Sequence, residues 1–232
     1  MKLLVFELRG DLAHFRRPDG IVTHPTYPAM TRTVLYGLIA SILGKRELDG
    51  ENWMGYSILK PVRTVAQEMS MLGKGWMGDG GDSFNRPTSI QLIVNPHYRV
   101  YYAGYHFETL TEMVREKRSV FHTYLGSAFC LTFPRFTGVI EAEEISPVPG
   151  DILTAITVVP ADLVESLLPE SGERYIPMRG ARYSVDCDRN FKGTLNFIIE
   201  ESGRPIKFKT RGCTGLVNYR ILKVEDGVIC LW

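Results

Sequence analysis

The chain has 232 residues, of which 44% are apolar and 23% charged, and 27 Lys and Arg stand against 26 Asp and Glu for a formal net charge of +1. A chain of this size can bury a sizeable core, and its composition excludes wholesale disorder. The charge balance excludes a protein that holds nucleic acid by uniform basicity, so any polyanion has to be held by local geometry.

Residues 2–9 read as a strand, with Leu4, Phe6 and Leu8 on one side and Leu3, Val5, Glu7 and Arg9 passing from apolar to polar on the other. This pattern predicts a central strand with one end near solvent. Residues 10–30 are irregular, because Pro18, Pro25 and Pro28 exclude helix. Thr31 is placed to cap a helix running to Leu43: Val34, Leu35, Leu38, Ile39, Ile42 and Leu43 recur at helical spacing, and Gly44 follows as the C′ residue.

Residues 56–69 predict a strand. After the tract MSMLGKGWMGDGGDSFNRPT, residues 89–94 and 98–102 predict a hairpin turning at Asn95-Pro96. Residues 108–118 predict a charged helix with a short apolar continuation near residues 124–128. Residues 136–145 and 152–159 predict strands joined by a turn at Pro147, Pro149 and Gly150, and further strands are expected near residues 175–183, 194–199, 213–222 and 228–232.

The first part therefore has the order strand, helix, strand, strand, helix, strand, which is the split βαβ, ferredoxin-like (RRM-like) arrangement of an α+β protein. Residues 1–145 form the expected ferredoxin-like domain and residues 146–232 a strand-rich C-terminal region. Two helices on one face of an antiparallel sheet leave its other face free, a surface often used for single-stranded RNA.

The longest apolar run, residues 34–43, is interrupted by Gly37 and Ser41 and is too short to span a bilayer, and Glu7 and Arg9 arrive before a signal-peptide apolar region can form. A cytoplasmic protein without a membrane partner is the expectation. Cys130, Cys187, Cys213 and Cys230 show no CxxC spacing and no nearby histidine pair, so they suggest reduced thiols rather than zinc or disulfides. No metal or cofactor is implied.

The glycine-rich tract lacks the Lys-Ser/Thr ending of a phosphate loop, and around Asp79 and Asp82 it lacks the ligand spacing of a calcium loop. Met71, Trp76 and Met77 are costly to leave in water, which points to a partner, with Lys74 and Arg86 supplying charge. Arg9, His14, Arg16 and Arg17 form a basic cluster, and Thr31, Arg32 and Thr33 open a helix whose free N–H groups suit a phosphate. Lys117, Arg118 and His122 close the second helix, where cations complement the helix dipole. Metal-independent RNA cleavage needs a base, an acid and a cation, and His14, Tyr36, Lys117 and His122 have the chemistry for those roles.

The stretch FELRGDLAHFRRPDGIVTHPTYPAMTRTVLYGLIASILG resembles the fifth family of CRISPR-associated proteins. It combines Arg9-Gly10-Asp11 at a strand end, the segment AHFRRP, a TYP element containing Tyr27, and a helix opening at Thr31-Arg32-Thr33. LIVNPHYRVYY and HTYLGSAFC extend the likeness over about the first 145 residues, and its details are similar to the subtype I-B branch. The resemblance implies a RAMP-superfamily subunit of the type I Cascade complex that caps the 5′ handle of crRNA. Its implied neighbours are the backbone subunit (Cas family seven), the large subunit (Cas family eight) and target DNA within the complex. It also implies that residues 69–88 are a thumb, with Met71, Lys74, Trp76, Met77 and Arg86 reaching a neighbouring subunit. The RNA-binding set becomes Arg9, His14, Arg16, Arg17, Tyr27, Thr31, Arg32, Thr33, Lys117, Arg118 and His122.

A branch of the same family, in subtype I-C, cuts precursor crRNA without metal through histidine, lysine and tyrosine. Here Lys117 is not followed directly by histidine, which favours a non-catalytic subunit. An endoribonuclease is the alternative, and a ferredoxin-like domain with the glycine tract as a lid over a small ligand is the third reading.

Overall fold

The computed structural model describes residues 1–20, 22–73, 84–185, 188, 190–212 and 219–232. The elements of the first half are β1 (Lys2–Arg9), β2 (Leu12–Ala13), α1 (Arg32–Leu43), β3 (Asn52–Ile58), β4 (Thr64–Gly73), β5 (Phe84–Val94), β6 (His97–Gly104), α2 (Phe107–Arg115) and β7 (Arg135–Glu141). The second half adds β8 (Glu143–Ile145), β9 (Ile152–Ala155), β10 (Val159–Pro160), β11 (Val164–Leu167), β12 (Tyr175–Val185), β13 (Phe191–Glu200), β14 (Ile206–Thr210), β15 (Arg220–Val224) and β16 (Gly227–Leu231).

Four strands in the order β3-β6-β1-β7, each antiparallel to its neighbour, make the first sheet. Counting only these strands with α1 and α2, the chain order is βαββαβ and the spatial order is fourth, first, third, second, which is the split βαβ arrangement. Leu4, Phe6 and Leu8 of β1, with Tyr98, Val100 and Tyr102 of β6, pack against Leu35, Ile39 and Ile42 of α1 and Leu110 and Val114 of α2. The helix ends are set locally. Thr31 accepts a hydrogen bond from the Val34 amide at 3.3 Å, and Gly44, at φ 71°, ends α1 in the left-handed region that glycine tolerates.

Four sequence expectations need correction. Residues 56–69 are two strands in different sheets, because Pro61 removes an amide hydrogen and breaks the run after Leu59. β5 and β6 do turn at Asn95, whose φ is 51°, but they do not pair: β6 joins β1 and β3, whereas β5 joins β4 and β2. α2 stops at Arg115, and Lys117 at φ 56° carries the chain out of it, so neither residues 116–118 nor residues 124–128 continue it. Finally, the second face of the first sheet is covered. Leu3, Val5, Tyr101 and Ala103 pack there against Leu222, Ile229 and Leu231 of the C-terminal hairpin.

The remaining strands form a six-stranded sheet, β11-β14-β9-β16-β15-β8, and two three-stranded sheets, β10-β13-β12 and β2-β5-β4. Trp232 exchanges backbone hydrogen bonds with Met54 on β3 and is buried against Tyr56 and Phe197, its ring centroid 6.0 and 5.0 Å from theirs. Leu195, Phe197, Ile199 and Trp232 thus share the core of the helix-covered face. Cys130 and Cys230 are buried thiols not joined in a disulfide; Cys187 and Cys213 lie outside the described residues. No helix among the described residues is long and apolar enough to cross a membrane.

Candidate nucleic-acid interface

At the start of α1 the hydroxyl of Thr31 is spent on the cap and on Thr33, whose Oγ1 lies 3.0 Å away. Arg32 turns towards β12. Its Nη1 donates to the Tyr183 carbonyl at 2.9 Å, and its guanidinium lies 4.3 Å from the centre of the Tyr183 ring and 5.8 Å from that of Tyr36. Nε is buried with no hydrogen-bond partner among the described residues. Arg32, Thr33, Tyr36, Leu48, Tyr183 and Ser184 line a cavity of about 240 Å³ that has no carboxylate among the described residues. Burial lowers the pKa of Arg32 from the usual arginine range, yet the group stays cationic at neutral pH. A fixed guanidinium with an unused donor and no counter-charge is suited to a phosphate or carboxylate.

A second cationic cluster forms where β1 ends. Arg9, Lys60 and Arg135 converge with Phe133 around a depression of about 360 Å³ that also contains Asp11. Phe133 is 71% exposed. Thr132, one residue before it, donates from Oγ1 to the Arg9 carbonyl at 2.8 Å and so fixes this corner. None of the three cations is ion-paired among the described residues. Cations around an exposed aromatic ring are what a single strand requires, phosphates on the former and a base on the latter.

The other residues named from sequence are dispersed. His14 is buried, its Nδ1 2.8 Å from the Gln91 carbonyl and its ring stacked 6.4 Å from that of His24. Burial lowers its pKa, with Arg16 adding to the effect, while the Gln91 contact opposes it. Arg16 is exposed, reaching the Gly20 carbonyl at 3.4 Å. Arg17 is paired with Asp19 at 2.5 Å. Tyr27 is buried and donates to the Gly180 carbonyl at 3.0 Å, which makes it a tie between the first half and β12. Lys117 and His122 are exposed, and Arg118 is paired with Glu112 and Glu116. Tyr36 donates to the Leu48 carbonyl and accepts from its amide at 2.7 Å. Among the described residues no hydrogen bond or ion pair joins any two of His14, Tyr36, Lys117 and His122.

Residues 69–73 and 84–88 of the glycine-rich tract belong to a two-stranded ribbon. β4 and β5 pair in continuous register from Thr64 opposite Ile93 to Gly73 opposite Phe84. Ten residues per strand give a ribbon about 30 Å long. Its base is held by β2 on β5 and by the amide of His24, which donates to the Ser89 carbonyl at 2.8 Å. β4 is exposed along most of its length, including Val65 and Met71. Lys74, Trp76 and Met77 lie outside the described residues. Arg86 sits opposite Met71 in the ladder, and its side chain is also outside them.

Lys60, Phe133, Arg135 and Tyr183 are additions that sequence reading missed. Each stands far along the chain from the residue it serves, and only the exposed-aromatic and arginine pairing in Phe133-Pro134-Arg135 offered a local signal. Among the described residues no group of three or more His, Cys, Asp or Glu side chains is placed to hold a metal ion.

Residues 3–75 match the family model described as CRISPR-associated protein (Cas_Cas5). No curated protein matches the chain. Among solved structures, a CRISPR protein from Archaeoglobus fulgidus superposes with a TM-score of 0.57 at 12% identity, covering 99% of each chain. A chain of a CRISPR RNA-guided surveillance complex superposes with a TM-score of 0.55 at 12% identity, covering 89% of this chain and 91% of that one. A further Cas protein gives 0.51 at 17% identity, covering 87% and 95%. At these identities the superpositions establish the shared fold, and the family match over β1 to β4 coincides with the sequence resemblance.

Proposed function

For a chain that carries the CRISPR-associated Cas5 family signature over residues 3–75, we propose the role of an RNA-binding subunit in a CRISPR effector complex. In its finer form the reading is a non-catalytic, cytoplasmic subunit of a type I Cascade complex. It holds the 5′ handle of the guide RNA beside a backbone subunit and a large subunit. The observation that carries the proposal is the pair of uncompensated cationic sites, Arg32 in its tyrosine-lined cavity and Arg9, Lys60 and Arg135 around Phe133, on a chain with the family match.

The ribbon fits the thumb role in length and exposure, since a projecting hairpin can reach a neighbouring subunit while its base stays anchored. A non-catalytic role is supported by the dispersal of the four side chains capable of RNA cleavage. His14 is buried and Tyr36 is held at Leu48, whereas Lys117 and His122 stand in solvent. Net charge near neutrality suits a subunit that shares its RNA with other chains.

The test is to co-express the chain with its genomic neighbours and a precursor guide, sequence the copurifying RNA, and incubate the isolated chain with precursor in EDTA. A defined guide 5′ end without cutting is the expected result. Cutting that is lost in Lys117→Ala or His122→Ala would replace this reading with the endoribonuclease. Neither RNA nor protein partners would return the chain to the small-ligand reading.

A further inference from the structure

The opposite side of the first sheet has the reverse charge. β7 is the terminal strand of that sheet, and among the described strands it pairs only with β1. Its outer row of backbone donors and acceptors is therefore available to another strand. The register with β1 shifts between Val5 and Phe6, leaving Thr137 unopposed, so Phe136 faces the helices while Ile140 faces the second core.

Beside this edge lies a cavity of about 620 Å³. Val5, Tyr101, Ile140, Ile156, Val224 and Ile229 supply apolar walls, and Gly138 opens towards empty space, since a Cβ there would meet nothing within 4 Å. Two carboxylates, Glu225 and Asp226, are in the lining, and no described cation pairs with them. The one cation in the lining, Arg99, is already held by Glu7 at 3.0 Å.

We infer that this edge and cavity dock an extended segment of a partner protein, which adds as a strand to β7, inserts a large apolar side chain beside Gly138 and sets Lys or Arg on Glu225 and Asp226. Backbone pairing supplies affinity in such strand addition, and the side-chain cavity supplies specificity. Charge complementarity selects the occupant. The two carboxylates without a described cation partner repel RNA, and a second copy would bring the same two to the cavity, whereas a basic strand relieves them. This surface meets the cationic cluster at one point, Arg135 at the start of β7, and otherwise lies on the rest of β7 and the C-terminal hairpin, so the inference does not depend on the RNA-binding reading.

The probe is the blocked peptide Lys-Lys-Val-Phe-Val-Thr-Val-Lys-Lys, titrated into the isotope-labelled full chain while backbone amide shifts are followed. Saturable shifts along β7 and at Tyr101 and Ile229 are expected. Binding should weaken by about tenfold for a control peptide with Glu at the four Lys positions, and equally for the chain variant Glu225→Lys/Asp226→Lys, whose changes lie in an exposed turn. Gly138→Phe should fill the cavity and weaken binding at least as much. Shifts absent from β7 would overturn the inference, as would identical shifts on adding oligouridylate in place of peptide. β7 shifts that change on diluting the chain alone would also overturn it, because a second copy would then be the occupant.

Discussion

Arg32 and Arg17 show how little a residue's type says until its neighbours are known. Both are arginines beside aromatic rings, but Arg17 is neutralised by Asp19 at the surface, whereas Arg32 has aromatic contacts, one carbonyl and an idle Nε. Replacing both Arg9 and Arg135 with Ala should therefore lower RNA affinity and reduce the salt slope of log K by about 1.4, the value for two phosphate contacts on a single strand. Arg17→Ala should change that slope much less, and filter binding across a salt series separates the two. Arg32→Gln should weaken RNA binding and lower the thermal midpoint modestly, because it also gives up the hydrogen bond to the Tyr183 carbonyl and the contact with the Tyr183 ring. A second residue-scale expectation concerns pH. Burial lowers the pKa of both His14 and His106, so both fold in the neutral form. Their contribution to stability is complete above the unfolded value of about 6.5 and is lost as pH falls from there through the folded values. Urea unfolding between pH 7 and pH 5 should show this loss, and His14→Gln should flatten part of it.

At the scale of elements, α1 was legible because every signal for it is local. Its apolar spacing, Thr31 cap and Gly44 terminator all lie within the helix or one residue beyond, and the observed ends agree. β4 and β5 were not, because a strand's pattern does not name its partner. The sequence shows two apolar runs meeting at Asn95-Pro96, and local turn chemistry favours pairing them, but ladder hydrogen bonds go to β4 and β2 on one side and to β1 and β3 on the other. The two ends of the glycine-rich tract, residues 69–73 and 84–88, consequently continue a long ribbon. Joining residue 70 directly to residue 87 through a short Asn-Gly turn should preserve the fold, since the ribbon's anchors lie nearer its base at Ile93, Val94 and Ser89. Circular dichroism should be nearly unchanged, while the proposed thumb role requires copurification with partner subunits to be lost. Trp76→Ala should weaken the same assembly with little change in salt slope, because an apolar wedge neutralises no phosphate.

For the molecule as a whole, Trp232 is a structural link. Trp232 is 1% exposed, pairs with β3 through its backbone and meets aromatic rings from both halves. Trp232→Ala should cost about 3 to 5 kcal/mol, by lost transfer energy and an unfilled cavity, and should lower the urea midpoint. A Phe at this position, keeping most of the volume, should recover most of that loss. The C-terminal hairpin is a second link. By covering the sheet face that RRM-like domains leave for RNA, it moves the available cations to the strand ends and to the side of α1.

From sequence alone came the α+β class, the βαββαβ order, both helices, the basic composition around Arg9 and the likeness to the fifth CRISPR-associated family, all of which depend on patterns within a few turns or strands. Only the tertiary structure decided which strands pair, that the second face is closed, that His14 and Tyr27 are interior, and that Lys60, Phe133 and Arg135 gather at Arg9. The physical reason is the same in each case. Periodicity and capping report a residue's relation to its own backbone, whereas burial and charge pairing depend on groups distant in sequence, and no local pattern records which of them arrives.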